Sequence, residues 1–153
     1  MAIRYTDDLC NGGVASASGE TGVNIAAHAF DGLHPRWAHD GGAFPKWIKY
    51  DFGDGVSQKI EKIVLTRFYN QVKDFKVQGS NDNINWDDVS TEQCANTDGD
   101  YETVTFTFTN NYGKHRYVRI YITSTWDGGY PNNTSLWEVE MMAKIPSGFM
   151  IFL

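Results

Sequence analysis

Over much of this chain apolar and polar residues alternate with a period of two. The stretches "KIEKIVLTRF" (59–68), "KDFKVQGS" (73–80), "ETVTFTFT" (102–109), "RYVRIYITS" (116–124) and "LWEVEMMA" (136–143) are rich in β-branched and aromatic residues. That period sends successive side chains to opposite faces of an extended strand. In the third stretch Val104, Phe106 and Phe108 form one face against Thr103, Thr105, Thr107 and Thr109 on the other. In the fourth, Val118, Ile120 and Ile122 predict the core side, and Tyr117, Arg119, Tyr121 and Thr123 the opposite side. The turn-forming clusters "GDGVS", "NDNIN", "NTDGD", "NNYGK" and "DGGYPNN" separate the strands. One short helix is expected at "NIAAHAF" (24–30), capped by Asn24. The pattern predicts an all-β antiparallel β-sandwich. Its domain runs over residues 11–144, after an N-terminal segment (1–10) and before an apolar tail (145–153).

Composition narrows the function classes. The net charge is −6 and the 13 Lys and Arg are scattered, so the basic stripe that neutralises phosphates is missing and no nucleic-acid partner is expected. No run approaches the ~20 apolar residues needed to cross a bilayer, so no membrane insertion is expected. The start, "MAIRYTDDLCNGG", lacks the features of a secretion signal, which leads to the expectation of a protein made in the cytosol. Cys10 and Cys94 match no metal-ligand spacing, and a single bridge between them stays open. Carboxylates are plentiful, but a nucleophile elbow, zinc-binding His pair, P-loop and dinucleotide fingerprint are all missing, so a non-catalytic role is expected.

The order of several short motifs is informative. "AFDG" is followed by Trp37, then "PKWIKYDFG", "KIVLTRFYNQVKDFKVQGSNDNINWDDV", "RYVRIYI" and "SLWEVEM". Together they resemble the discoidin family, the coagulation factor V/VIII type C domains, and among these the family-32 carbohydrate-binding modules. The resemblance implies a galactose-binding-domain-like jelly roll whose loops at one end bind glycans, often beside a structural calcium. It also places Trp37, Trp47 and Trp86 in the core.

For calcium, the resemblance implies carbonyls of Ala29 and Leu33 and carboxylates of Asp31 and Glu138, a set of hard oxygen donors that suits the ion. "DGLHPRW" is one residue shorter than the family pattern and lacks its Thr. The residues also allow an ion-free loop in which Asp31 caps a turn and Glu138 pairs with Arg36. For the glycan, three loops offer candidates: His39 and Asp40; Arg67, Tyr69 and Asn70; and Trp126, Asp127 and Tyr130. An aromatic face covers the C–H face of a sugar while the polar groups bond its hydroxyls. Trp126 stands beside Gly and Pro and is the expected stacking platform. Other roles remain open: Arg67 pairing with Asp74, His39 at the surface, Trp126 shielding the core. A glycan or polysaccharide ligand is expected, with display on a virion or other surface assembly. A structural or decorating subunit without a glycan ligand and a soluble cytosolic lectin are the alternatives. The run Phe149 to Leu153 is expected to dock on a neighbouring copy in a homo-oligomer or larger assembly.

Overall fold

A computed structural model describes residues 2–69, 72–97, 99–126 and 132–148. Ten strands occur in chain order: β1 (Arg4–Tyr5), β2 (Val14–Ala17), β3 (Trp37–His39), β4 (Lys46–Asp51), β5 (Ile60–Arg67), β6 (Asp74–Ser80), β7 (Asp87–Gln93), β8 (Glu102–Thr107), β9 (Tyr117–Ile122) and β10 (Thr134–Ile145). They form two antiparallel sheets. One has the order β1-β10-β5-β8, with β3 added alongside the start of β10, and the other the order β2-β4-β9-β6-β7. Arg4 and Tyr5 pair with Ile145 and Lys144, so the N-terminal segment is part of the first sheet.

The alternation seen in the sequence decides which side chains face inward. In β9, Val118, Ile120 and Ile122 are buried while Tyr117, Arg119 and Tyr121 are half-buried on the outside. Ile48 and Tyr50 of β4, Ile63 and Leu65 of β5, Phe75 and Val77 of β6, and Leu136, Val139 and Met141 of β10 complete one continuous core. Burial of this kind contributes roughly 1.5–3 kcal/mol per large apolar side chain before ordering costs. Cys10 and Cys94 are both buried and both free thiols. Burial pushes each thiol up, that of Cys94 to about 11, so neither is poised as a nucleophile.

Two local expectations are corrected, and one strand was not foreseen. The helix is a single 3₁₀ segment, Ala26–Phe30, preceded by Ile25 rather than capped by Asn24. β7, the polar stretch "DDVSTEQ", is a strand without a clear apolar alternation, because it lies at the sheet edge and pairs only with β6. Trp37 is wholly buried, but Trp47 and Trp86 are half-buried. Trp47 alternates with buried Ile48 and so lies on the outer face of β4. Trp86 closes the β6–β7 hairpin, whose turn is held by Asp82. That carboxylate accepts from the backbone N–H groups of Ile84 and Asn85 and from the Asn85 side chain, which holds its carboxyl well below the usual range.

Candidate functional site

Strand registers collect four loops at one end of the sandwich. His39 at the end of β3 pairs with Thr134 at the start of β10, and Leu136 pairs with Arg67 at the end of β5. Arg67 in turn pairs with Glu102 at the start of β8, while Lys46 at the start of β4 pairs with Ile122 at the end of β9. The connections β3–β4, β5–β6, β7–β8 and β9–β10 therefore open on the same side. Three of them were expected from the sequence. The β7–β8 connection was missed, because "NTDGD" reads only as a turn.

Lys46 ties two of these loops together. Its side chain is buried, and its ammonium donates to the carbonyls of His39 (2.9 Å), Gly41 (2.5 Å) and Asn132. The Gly41 N–H donates to Asn133 Oδ1 at 3.0 Å across the same gap. Burial holds the Lys46 pKa below its ordinary value, partly offset by the nearby Asp40 carboxylate. The imidazole of His39 bonds Ser18 Oγ through Nδ1 at 3.0 Å, and its pKa is also lowered, first by burial and then by Lys46. A Cβ on Gly19 would stand 2.5 Å from that ring, so only glycine allows the approach. Asp40 is exposed, and its N–H donates to Thr21 Oγ1.

Arg67 is not a free loop residue. Its side chain is buried, donating to the Ala95 carbonyl (2.9 Å), Thr97 Oγ1 (2.8 Å) and Glu102 Oε2 (2.7 Å), while its Nε is buried without a partner among the described residues. It pairs with Glu102 rather than Asp74, whose carboxylate accepts from Ser124 and Gln93. Trp126 reaches the same connection from the other sheet, its indole N–H donating to the Cys94 carbonyl at 2.9 Å. It is half-buried, with the Lys73 ammonium 4.4 Å from its ring centroid. Trp126 is thus anchored on the β7–β8 connection, which the sequence did not suggest. Asn70, Asp127 and Tyr130 lie outside the described residues.

Beside this group lies an aromatic surface that sequence reasoning did not assemble. The rings of His34 and Tyr101 stack at 4.5 Å, Tyr101 and His34 lie 5.3 and 5.6 Å from Trp137, and Phe68 links Trp137 to Tyr69. Tyr69 and Tyr101 are about half exposed, and both have left-handed backbones, with φ of 48° and 63°. Such conformations cost a non-glycine residue free energy and concentrate at binding sites. Asp100 accepts from the Trp137 indole at 3.0 Å. Runs such as "FYN" and "GDYE" carried the signal in their exposed aromatics at loop positions.

The residues expected around calcium fall in one neighbourhood. Glu138 Oε2 accepts from the Gly32 N–H at 3.1 Å, and Asp31 Oδ1 accepts from the Leu33 N–H at 2.8 Å. Burial and the negative charges of Asp31, Asp8 and Glu140 push the Glu138 carboxyl up to about 8. The Arg36–Glu138 pair of the ion-free alternative does not form among the described residues: the Arg36 guanidinium lies 3.8 Å from the centroid of Phe68 and 5.5 Å from that of Trp137. Acidic charge with no cationic partner among the described residues suits a hard divalent ion, with Ala29 and Leu33 able to add backbone oxygens. Side chains alone are insufficient, since no group of three His, Cys, Asp or Glu is assembled among the described residues.

Two antiparallel sheets with four loops gathered at one end define a sandwich of the carbohydrate-binding-module type. The chain belongs to the F5/8 type C domain family, whose model matches residues 14–139. Chitosan-binding module 1 from a chitosanase/glucanase of Paenibacillus sp. IK-5 is 33% identical, with a TM-score of 0.69, covering 88% of this chain and 97% of the module. Module 2 of that enzyme, solved with chitotriose, is 28% identical with a TM-score of 0.70, covering 88% of this chain and 98% of the module. The family-32 module of NanJ from C. perfringens, solved with galactose, is 18% identical with a TM-score of 0.74, covering 92% and 100%. No curated protein matches the chain significantly.

Proposed function

We propose that this protein is a non-catalytic carbohydrate-binding module that holds an amino-sugar glycan at the loop end of the sandwich. The observation that carries the reading is the half-exposed ring of Tyr101, set on a left-handed backbone at the loop end between Asp100 and Glu102 in the chain. Aromatic faces take up the C–H face of a pyranose, and the exposed Asp40 carboxylate on the β3–β4 connection favours a protonated amine over a neutral hydroxyl. The net charge of −6 favours the same partner, and two related modules are chitosan-binding modules. His39, Arg67, Asn70, Trp126 and Tyr130 complete the proposed contact set; for Arg67 the role is to orient Glu102 and the β7–β8 connection from below. Calcium at Asp31 and Glu138, with the carbonyls of Ala29 and Leu33, would relieve carboxylate repulsion and brace the loop behind Trp137. Display on a virion or surface assembly through the tail rests on the apolar sequence of residues 149–153, which lie outside the described residues.

The test is calorimetric titration with glucosamine oligomers, their N-acetylated counterparts and galactose-terminated oligosaccharides, with and without calcium. Binding of the free amines in the micromolar to millimolar range, weakened by acetylation and by Tyr101→Ala, is expected. Indifference to acetylation would remove the amino-sugar reading, and silence towards all three would remove the glycan reading.

A further inference from the structure

The outer face of the second sheet is built unlike an ordinary solvated face. Register places Trp47 opposite Tyr121, Lys49 opposite Arg119, and Gln78 on the far side of Arg119. Lys49 and Arg119 are thus like charges directly opposed across two strands, an arrangement that destabilises a sheet when nothing balances it. The carboxylates of this face are already engaged. Asp51 accepts from Arg116 at 2.8 and 3.1 Å, and Asp88 from Lys76 at 2.7 Å and Gln78 at 2.6 Å. Lys49 donates instead to Asn83 Oδ1 (2.7 Å), and Arg119 uses only Nε, to Gln78 Oε1 (2.7 Å). Neither makes an ion pair among the described residues, and the two terminal nitrogens of Arg119 bond nothing there. Burial holds both pKa values below their ordinary range, and for Lys49 the charge of Arg119 adds to the effect.

Aromatic rings frame the two cations. The Arg119 guanidinium lies 3.9 Å from the centroid of Trp86 and 4.8 Å from that of Tyr121, and the Lys49 ammonium lies 5.0 Å from that of Trp47. Each of these side chains is half-buried, so the frame remains open to solvent on one side.

We propose that this face is a second carbohydrate site, for the carboxylate-bearing pyranose units of an acidic polysaccharide, with Lys49 and Arg119 holding the carboxylate and Trp47 and Tyr121 lying against the sugar ring. The free edge of a guanidinium matches a carboxylate in two parallel hydrogen bonds, and the ammonium adds a compact positive charge beside it. A bound anion supplies the counter-charge that the sheet itself lacks. A flat sheet face suits the interior of an extended chain, whereas the loop end suits a shorter or terminal ligand. The acidic remainder of the protein does not oppose this locally, because salt screens exposed charges beyond about 8 Å at physiological ionic strength. The site shares no residue with the loop-end reading and stands independently of it.

Polygalacturonate and its methyl ester, the same polymer with the charge removed, are the probes, followed by affinity electrophoresis and calorimetry. The unaltered protein is expected to bind the acid form and not the ester, with affinity falling as salt rises. Lys49→Gln and Arg119→Gln should each weaken binding about tenfold or more. Their melting temperatures should hold or rise, because either change removes the like-charge opposition. Tyr101→Ala should leave uronate binding intact while impairing the loop end, which separates failure of one reading from failure of the other. Equal binding of acid and ester, no binding of the acid, retention of affinity in both Gln variants, or preference for a single-stranded oligonucleotide over the uronate would each overturn the proposal. The comparison of the two polymers needs no variant, so it holds even if a substitution disturbs folding.

Discussion

Replacing Lys46 with Met keeps most of the side chain's volume and removes only its charge and donors. The ammonium holds three carbonyls, two from the β3–β4 connection and one, on Asn132, 86 residues away. Hydrogen bonds to a charged group contribute roughly 1.5–3 kcal/mol each, or about 5–9 kcal/mol for the three. Burying the ammonium costs several kcal/mol in the opposite direction, so the net loss should be about 2–4 kcal/mol. For a chain of this size that corresponds to a fall of about 4–16 °C in melting temperature. Calorimetric melting of Lys46→Met checks the figure, with Lys59→Met as the comparison. Lys59 is exposed and stands 3.8 Å from the carboxylate of buried Glu61, which also accepts from the Asn110 N–H, so loss of this long, solvent-facing contact should cost about 1 kcal/mol or less. Because the loops lose their shared anchor, glycan affinity at the loop end should fall with stability. A Lys46→Met protein that melts within about 2 °C of the parent and keeps its affinity would refute the reasoning.

Trp126→Ala should cost roughly 1–3 kcal/mol by stranding the Cys94 carbonyl as well as lowering glycan affinity, whereas Trp126→Phe should keep the stacking face; loss of affinity in both variants alike would remove stacking as its role. Millimolar calcium should raise the melting temperature and chelator should lower it, with Glu138→Gln abolishing the response, as read by differential scanning fluorimetry; a curve unmoved by either treatment argues against the ion. His39 has a folded pKa below 6.5, so its folded form binds fewer protons than the unfolded chain. Its contribution should be complete above that pH and fade as pH falls, and His39→Asn should flatten this limb of the stability profile; an unchanged limb would show that another group titrates there.

Much of the fold was legible in the sequence, because period-two alternation is a local property. The inward set Val118, Ile120 and Ile122 needed no knowledge of the partner strands, and "RYVRIYI" already separated the face that became core from the one that carries Arg119. The order of motifs likewise pointed to the family. What alternation does not settle is which side of an aromatic-rich strand is covered. Trp47 and Ile48 are both apolar neighbours in β4, and packing against the first sheet buried Ile48, leaving Trp47 beside Lys49 on the outer face. The candidate site was only half legible for a similar reason. Its loops lie far apart in the chain, and antiparallel registers between β3, β10, β5 and β8 bring them to one end. Arg67 read as a free ligand because its polar partners, Ala95, Thr97 and Glu102, belong to a connection about thirty residues onward. Lys46 was not singled out at all: a lysine at a strand start reads as solvated, and only tertiary structure surrounds it with carbonyls whose unmet hydrogen-bonding capacity makes a buried ammonium stable.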